Sequence, residues 1–269
     1  MTFIIVDRPR PHVALITLNR PERMNAMAFD VMIPFRETLE SLKRDNDVRV
    51  VMITGAGRGF CSGADQTNSG VLPNIEGLTP ITISLRAMEL LDDIVMTLRG
   101  LHQPVIAAIN GAAIGGGMCL SLACDIRIAS HDAYFRAAGI NNGLTASELG
   151  MSYLLPRAIG SSRAFEIMLT GRDIHAEEAE RIGLVSRSVP RDQLLDECYA
   201  LAERIIAFSR PGVELTKRTL WTGLDASSLS SHMAQEGLGQ LFVRLLTDNF
   251  EEATRARKAN RPAVFRDTR

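Results

Sequence analysis

The sequence predicts an α/β fold that ends in a purely helical region. Short apolar runs typical of buried strands alternate with helical patterns through residue 210. The stretch Gln103–Asp125 contains one such run followed by glycines, and only helical patterns occur from Pro211 onward. We therefore divide the chain into a core, residues 1–210, and a C-terminal helical region, residues 211–269.

The composition limits the classes of function. The chain has 30 Lys+Arg and 31 Asp+Glu, so its charge of −1 favours neither nucleic acid nor an anionic membrane. Apolar residues make up 46% of 269 residues, enough for a full core. The four cysteines and the histidines show no metal-binding spacing, so no metal is expected. The first apolar run is too short for a signal peptide, and we expect a soluble cytoplasmic protein.

The N-terminal part predicts two strands, a helix and a third strand. Residues 3–6 and 12–18 fit a strand pair across a polar turn. Apolar residues at helical spacing predict an amphipathic helix over 29–44, with Pro34 in or near its first turn. The apolar run at 48–54 predicts a buried strand.

A glycine-containing loop, Gly55–Asp65, follows this third strand. It does not fit the dinucleotide-binding fingerprint, because Phe60 stands at the sixth position, where glycine is required. The polar segment 66–79 predicts a mobile loop of the kind that covers a substrate, and residues 80–100 predict a helix.

The stretch Gln103–Asp125 has no charged residue between its ends, so its length alone would suit a membrane span. Asn110, four glycines and the lack of a positive flank favour a strand over 105–109 and a buried helix over 118–123 instead. Glycines Gly115–Gly117 precede that helix, so its N–H groups point outward with the positive end of the helix dipole behind them. The pattern predicts a site for a group that is, or becomes, negatively charged.

The remaining elements follow from periodicity. We predict strands at 126–129, 133–137 and 185–189, a loop at 141–146, helices at 147–155, 161–170, 176–181 and 193–209, and tail helices at 211–222, 227–246 and 249–259. Leu238, Leu241, Phe242 and Leu245 form an apolar stripe on the second tail helix. This stripe predicts packing on another subunit or back on the core.

Four segments resemble the crotonase family, which includes the enoyl-CoA hydratases and isomerases. They are LNRPERMNAM (Leu18–Met27), GFCSGAD (Gly59–Asp65), QPVIAAINGAAIGGGMCLSLACDIRIAS (Gln103–Ser130) and TGRDIHAEEAERIGLVSRSV (Thr170–Val189). The resemblance implies a crotonase-like spiral of ββα units with a C-terminal helical oligomerisation region, in a homotrimer or hexamer. It also implies an acyl-CoA substrate, with coenzyme A as part of the thioester and no separate cofactor.

The same resemblance assigns roles to individual residues. The backbone N–H groups of Ala64 and Gly116 would form an oxyanion hole for the enolate of the thioester, where loss of one donor typically raises the barrier by about 3–4 kcal/mol. Coenzyme A contacts would come from Arg23, Ser62, Ala64, Asp65, Gln66, Lys258 and Phe265.

The acid–base residues depart from the hydratase pattern. Where hydratases carry two glutamates, this chain has Cys119 and Gly139, so a two-glutamate mechanism does not follow. Glu148 is a substitute catalytic candidate, with the competing interpretation that it lies solvated in the first turn of a helix capped by Thr145 or Ser147. Glu236, in the tail, is a weaker candidate.

The sequence therefore predicts an acyl-CoA-binding enzyme of the enoyl-CoA hydratase/isomerase type. Two alternatives stay open. One is an isomerase or C–C hydrolase that uses Glu148, and the other is a non-catalytic acyl-CoA-binding protein that retains Ala64 and Gly116 without an acid–base pair.

Overall fold

The computed structural model describes residues 2–266, which form two sheets surrounded by helices. The larger sheet has six strands, in the spatial order β1 (Ile4–Arg10), β2 (Val13–Leu18), β3 (Val50–Gly55), β5 (Val105–Ile109), β7 (Ile126–Ser130) and β10 (Arg187–Val189). β1 and β2 are antiparallel, and every later neighbour in the sheet is parallel. β3 and β5 are buried along their whole length, which explains their continuous apolar sequences.

The smaller sheet has four strands. Its strands are β4 (Gly59–Cys61), β6 (Ala112–Ile114), β8 (Tyr134–Arg136) and β9 (Ile174–His175). β4, β6 and β8 each follow a strand of the large sheet and precede a helix, so the predicted spiral of ββα units is confirmed. β4, β6 and β9 are absent from the predicted elements, because strands of two or three residues show no clear alternation of apolar and polar residues.

Ten α-helices occur within the described residues. They are α1 (Phe29–Lys43), α2 (Pro80–Arg99), α3 (Gly116–Ala123), α4 (Met151–Ile159), α5 (Ser161–Thr170), α6 (Ala176–Arg181), α7 (Leu194–Ile206), α8 (Arg210–Asp225), α9 (Leu229–Leu246) and α10 (Asn249–Lys258). None of them is long and apolar enough to cross a membrane, and the uncharged central stretch is divided among β5, β6 and α3.

Three local predictions are corrected. The polar turn is confined to Pro11 and His12, because Arg10 still pairs with Val13 and extends β1. Pro34 lies in the second turn of α1. The helix predicted from residue 147 begins at Met151, since the two residues before it have positive φ angles that a right-handed helix excludes.

The C-terminal helices differ in how they meet the core. α8 is fastened by buried Lys217, whose Nζ lies 2.8 Å from Asp125 Oδ2 and donates to Gln103 O at 2.8 Å. Trp221 Nε1 donates to Asp125 Oδ1 at 2.6 Å. α9 has no buried residue, and the apolar stripe around Leu238 is more than half exposed. The chain therefore does not fold this stripe back on its own core, and packing on another subunit stays a prediction, as does the division at residue 210.

Candidate functional site

The glycine-rich start of α3 adjoins the loop after β4. Gly63 has a φ of +80°, and a Cβ built on it would lie 2.7 Å from Ile114 O and 3.2 Å from Gly116 N. A side chain at this position would separate the loop from the helix. Glycine at position 63 therefore lets Ala64, its chain neighbour, stand beside the first residue of α3.

Met27 holds this junction together. Its backbone N–H donates to Gly63 O at 2.7 Å, and its carbonyl accepts the Asp65 N–H at 2.9 Å. Between these two bonds, the Ala64 N–H has no hydrogen-bond partner within residues 2–266, and neither has the Gly116 N–H at the first helical position. The two predicted donors thus belong to adjoining segments and are both available.

Glu148 approaches the same helix start from the other side. The side chain is half-buried, and its Oε1 lies 3.3 Å from the place a Cβ of Gly115 would occupy. In the part of the chain that the structure describes, the carboxyl receives no hydrogen bond or ion pair. Burial raises the pKa of Glu148 above its ordinary 4.5. The capping interpretation is wrong, because Glu148 precedes α4 and is withdrawn from solvent.

The two positions at which the resemblance to hydratases would place glutamates provide no second acid. Cys119 is fully buried, donates its thiol to Glu148 O at 3.4 Å, and has a pKa raised well above 9.0, chiefly by burial. It is therefore a neutral thiol. A Cβ on Gly139 would overlap the Thr145 carbonyl, so this backbone leaves no room for a side chain there.

Four of the predicted coenzyme A contacts lie around the loop after β4. Arg23 is partly exposed and bonds Thr67 Oγ1, Ser62 donates to Arg23 O at 3.3 Å, and Gln66 is exposed. These residues and Ala64 are placed where a ligand can reach them.

The Asp65 carboxyl is directed inward, and the predicted contact of this residue with coenzyme A stays a prediction. It lies 3.0 Å from Arg20 Nη1 and accepts the backbone N–H groups of Thr67 and Asn68 at 3.0 Å each. The Thr67 N–H is the main reason that the pKa of Asp65 falls to about 2. Asp65 therefore fastens the loop that carries Ala64.

The tail residues are not brought to this site by their own chain. Phe265 lines a cavity of about 760 Å³ between α8 and the far end of α3, together with Leu122 and Trp221. Ala64, Gly116 and Glu148 are absent from its lining. Lys258 is exposed at the end of α10, so its predicted contact with coenzyme A stays untested.

The weaker acidic candidate is also placed elsewhere. Glu236 lies on α9 with its carboxyl half exposed and 3.5 Å from His232 Nε2. No group of three His, Cys, Asp or Glu side chains within residues 2–266 is arranged to hold a metal ion.

Two apolar residues of the site escape sequence reasoning. A Cβ on Gly116 would overlap Met27 Sδ and lie 3.5 Å from Leu149 Cδ1, so both side chains pack directly on the helix start. Met27 lies within a quoted motif and could have been singled out from it. Leu149 carries no sequence signal, because an isolated leucine is indistinguishable from ordinary core.

Comparisons with known proteins agree with this architecture. The family description of enoyl-CoA hydratase/isomerase matches residues 9–267. "Probable enoyl-CoA hydratase echA12" of Mycobacterium bovis is 71% identical over 267 residues, covering 99% of this chain and 94% of the relative.

Solved structures extend the comparison. A probable enoyl-CoA hydratase/isomerase from Mycobacterium abscessus is 74% identical, with a TM-score of 0.96 and full coverage of both chains. A monofunctional enoyl CoA isomerase from M. smegmatis is 65% identical, with a TM-score of 0.74 over 86% of this chain and 98% of the other. The chain therefore belongs to the enoyl-CoA hydratase/isomerase family and is an enzyme of the hydratase/isomerase type with the crotonase fold.

Proposed function

We propose that the protein moves the double bond of an enoyl-CoA thioester from the 3,4 to the 2,3 position, with Glu148 as its acid–base group. The observation that carries this proposal is the Glu148 carboxyl beside the glycine start of α3. Glu148 lies there, while Cys119 is a neutral thiol and Gly139 has no side chain.

The donors supply the electrostatic half of the reaction. Removal of a proton from C2 places negative charge on the thioester oxygen, and the N–H groups of Ala64 and Gly116 are proposed to bind that oxygen. Both are free of protein partners within residues 2–266 and adjoin one another through Gly63. Each such donor typically lowers the barrier by about 3–4 kcal/mol.

One carboxyl is sufficient for the proton transfers. Glu148 takes the C2 proton, the electron pair shifts through the dienolate, and the resulting acid returns a proton to C4. The bond between C2 and C3 becomes double, and no water is consumed. Burial raises the pKa of Glu148, which suits a group that must first accept and then hold a proton. A hydration mechanism that uses two glutamates would need a second carboxyl, and neither Cys119 nor Gly139 supplies one.

The relatives' names divide between the two reactions. The mycobacterial sequence relative is called a probable hydratase, and the M. smegmatis structure is called a monofunctional enoyl CoA isomerase. The acid–base arrangement of this chain supports the second reaction.

The test follows the appearance of the conjugated thioester from a 3-enoyl-CoA. We expect turnover in the wild type and a loss of about 10²–10⁴-fold in Glu148→Gln. Glu203→Gln removes an exposed carboxyl on α7, a helix that supplies no residue to the site, and should leave turnover unchanged. A substrate labelled with deuterium at C2 should give product with part of the label at C4, since one base carries the proton between the two carbons.

Hydration of crotonyl-CoA is the competing measurement. Hydration that exceeds isomerisation and survives Glu148→Gln would refute the assignment. If neither reaction occurs but CoA esters raise the melting temperature, the chain is an acyl-CoA binder and the proposal fails.

We also propose a homotrimer or hexamer, supported by the exposed apolar stripe of α9. Light scattering at several protein concentrations tests this assembly, and a monomer at micromolar concentration would exclude it.

A further inference from the structure

Leu149 has a backbone conformation that a leucine rarely adopts. Its φ is +46°, in the left-handed region, although it is neither glycine nor asparagine. Gly150 follows with a φ of +79° and precedes the first residue of α4. A buried leucine in this region persists only where its surroundings impose the conformation, and such residues cluster at functional sites.

The turn directs two consecutive side chains at the two residues where α3 starts, the N-cap Gly115 and the first helical residue Gly116. Glu148 Oε1 lies 3.3 Å from the Cβ position of Gly115, and Leu149 Cδ1 lies 3.5 Å from the Cβ position of Gly116. In a helix beginning at residue 147, successive side chains would diverge by about 100°. The left-handed turn therefore returns Glu148 to the helix start.

Hydrogen bonds from α4 and α3 hold the Glu148 carbonyl at the start of the turn. The Glu148 carbonyl accepts the Met151 N–H at 2.8 Å, at the first residue of α4. The same carbonyl accepts the Cys119 thiol at 3.4 Å, from within α3. The backbone of Glu148 is thus fixed by the same helix that its carboxyl approaches.

We propose that Leu149 is a positioning residue for the isomerisation. Its left-handed backbone turns Glu148 toward α3, and its side chain, packed on Gly116, excludes water from the carboxyl and keeps it close to the donors. This inference rests on the proposed function, but its effect on the Glu148 carboxyl is measurable without turnover.

The test compares Leu149→Ala with Leu39→Ala, which truncates an equally buried leucine of α1 in the same apolar core. Leu149→Ala should lower kcat by about 10–100-fold with KM changed less than about twofold, because a small displacement of the base affects proton transfer more than binding. Leu39→Ala should lose stability while kcat and its pH profile are retained. Leu149→Met keeps a long apolar side chain and should restore most of kcat.

The pH dependence separates positioning from mere packing. Burial raises the pKa of Glu148, so added water in Leu149→Ala should move the acidic limb of the kcat profile toward lower pH. The carboxyl can also be titrated directly by carbon-13 NMR, with the signal assigned from its absence in Glu148→Gln.

The outcomes distinguish the two proposals. If the wild type isomerises its substrate and Leu149→Ala changes neither kcat nor the Glu148 pKa, the positioning role is overturned and the function stands. If the wild type shows no isomerisation but Leu149→Ala still lowers the Glu148 pKa, the positioning of the carboxyl is supported and the proposed function fails.

Discussion

Replacing Glu148 by glutamine should stabilise the folded protein at neutral pH while it removes the proposed activity. The Glu148 carboxyl is half-buried and receives no hydrogen bond or ion pair within residues 2–266. Its ionised form is therefore disfavoured by burial, whereas the glutamine amide carries no charge. A residue kept in this state at a cost in stability is typical of a functional site.

The sign of the effect follows from the pKa. The folded-state pKa lies above the ordinary 4.5, so between these values the folded protein binds more protons than the unfolded chain. The contribution of Glu148 to wild-type stability is fully present below about 4.5 and declines as the pH rises through the folded pKa. Each unit by which the pKa is raised corresponds to about 1.4 kcal/mol. Glu148→Gln has no carboxyl at this position, so its free energy of unfolding should not show this decline.

Urea unfolding of both proteins between about pH 4 and pH 8 measures the difference. The free-energy difference should be constant below 4.5, grow in favour of Glu148→Gln with rising pH, and then level off. Equal or lower stability of Glu148→Gln at neutral pH would refute the conclusion that the carboxyl is held in an unfavourable environment.

Substitutions at three further positions test the framework of the site. Gly116→Pro removes the N–H donor at the first helical position, which tolerates proline, but the proline Cβ would overlap Met27 Sδ. Gly116→Ala is the matched control, because it introduces the same overlap and keeps the N–H. The kcat of Gly116→Ala should exceed that of Gly116→Pro by about 10²–10³-fold, and equal kcat values would exclude the Gly116 N–H as a donor. Gly115→Ala places a methyl group 3.3 Å from Glu148 Oε1, at a residue whose φ is +52°. The kcat should therefore fall at least about 10-fold, and the melting temperature should drop. Wild-type kinetics in this variant would show that the carboxyl does not occupy this space. Asp65 has a pKa of about 2 against an ordinary 3.8, so its contribution to stability is present above 3.8 and is lost as the pH falls toward 2. Asp65→Asn should therefore destabilise the protein at neutral pH, with the difference shrinking in acid; a pH-independent difference in urea unfolding would contradict this.

The long elements of the fold are predictable because each has a strong local signal. β3 and β5 are continuous apolar runs, as buried parallel strands require, and α1 and α2 show clear amphipathic spacing. The short strand β6 could not be predicted, because its pairing with β4 and β8 depends on contacts distant in the chain. Local sequence does not encode such pairings in a readable way.

The sequence pointed to the glycine segments of the candidate site and named Glu148 as a candidate acid, but it did not predict how Glu148 is placed. Ala64 and Gly116 lie in glycine motifs whose need for close backbone approach is apparent from the sequence. The placement of Glu148 depends on the φ angle of Leu149, and no residue pattern predicts a leucine in the left-handed region. The nearby Thr145 and Ser147 are reasonable N-cap residues, so local propensity favours an earlier helix start than the one formed.

The three consecutive glycines before Met118 have distinct structural reasons. Gly115 leaves the space that Glu148 approaches, Gly116 admits Met27 and Leu149, and a Cβ on Gly117 would overlap the Cys61 carbonyl. The run is therefore more than an anion-binding helix start, because it brings three separate segments into contact with one turn of α3. The Glu148 carboxyl, proposed to move protons, and the N–H groups of Ala64 and Gly116, proposed to bind the oxyanion, all lie at or beside that turn. A side chain added at any of the three glycines should consequently disturb the relative placement of both, even where its N–H is retained.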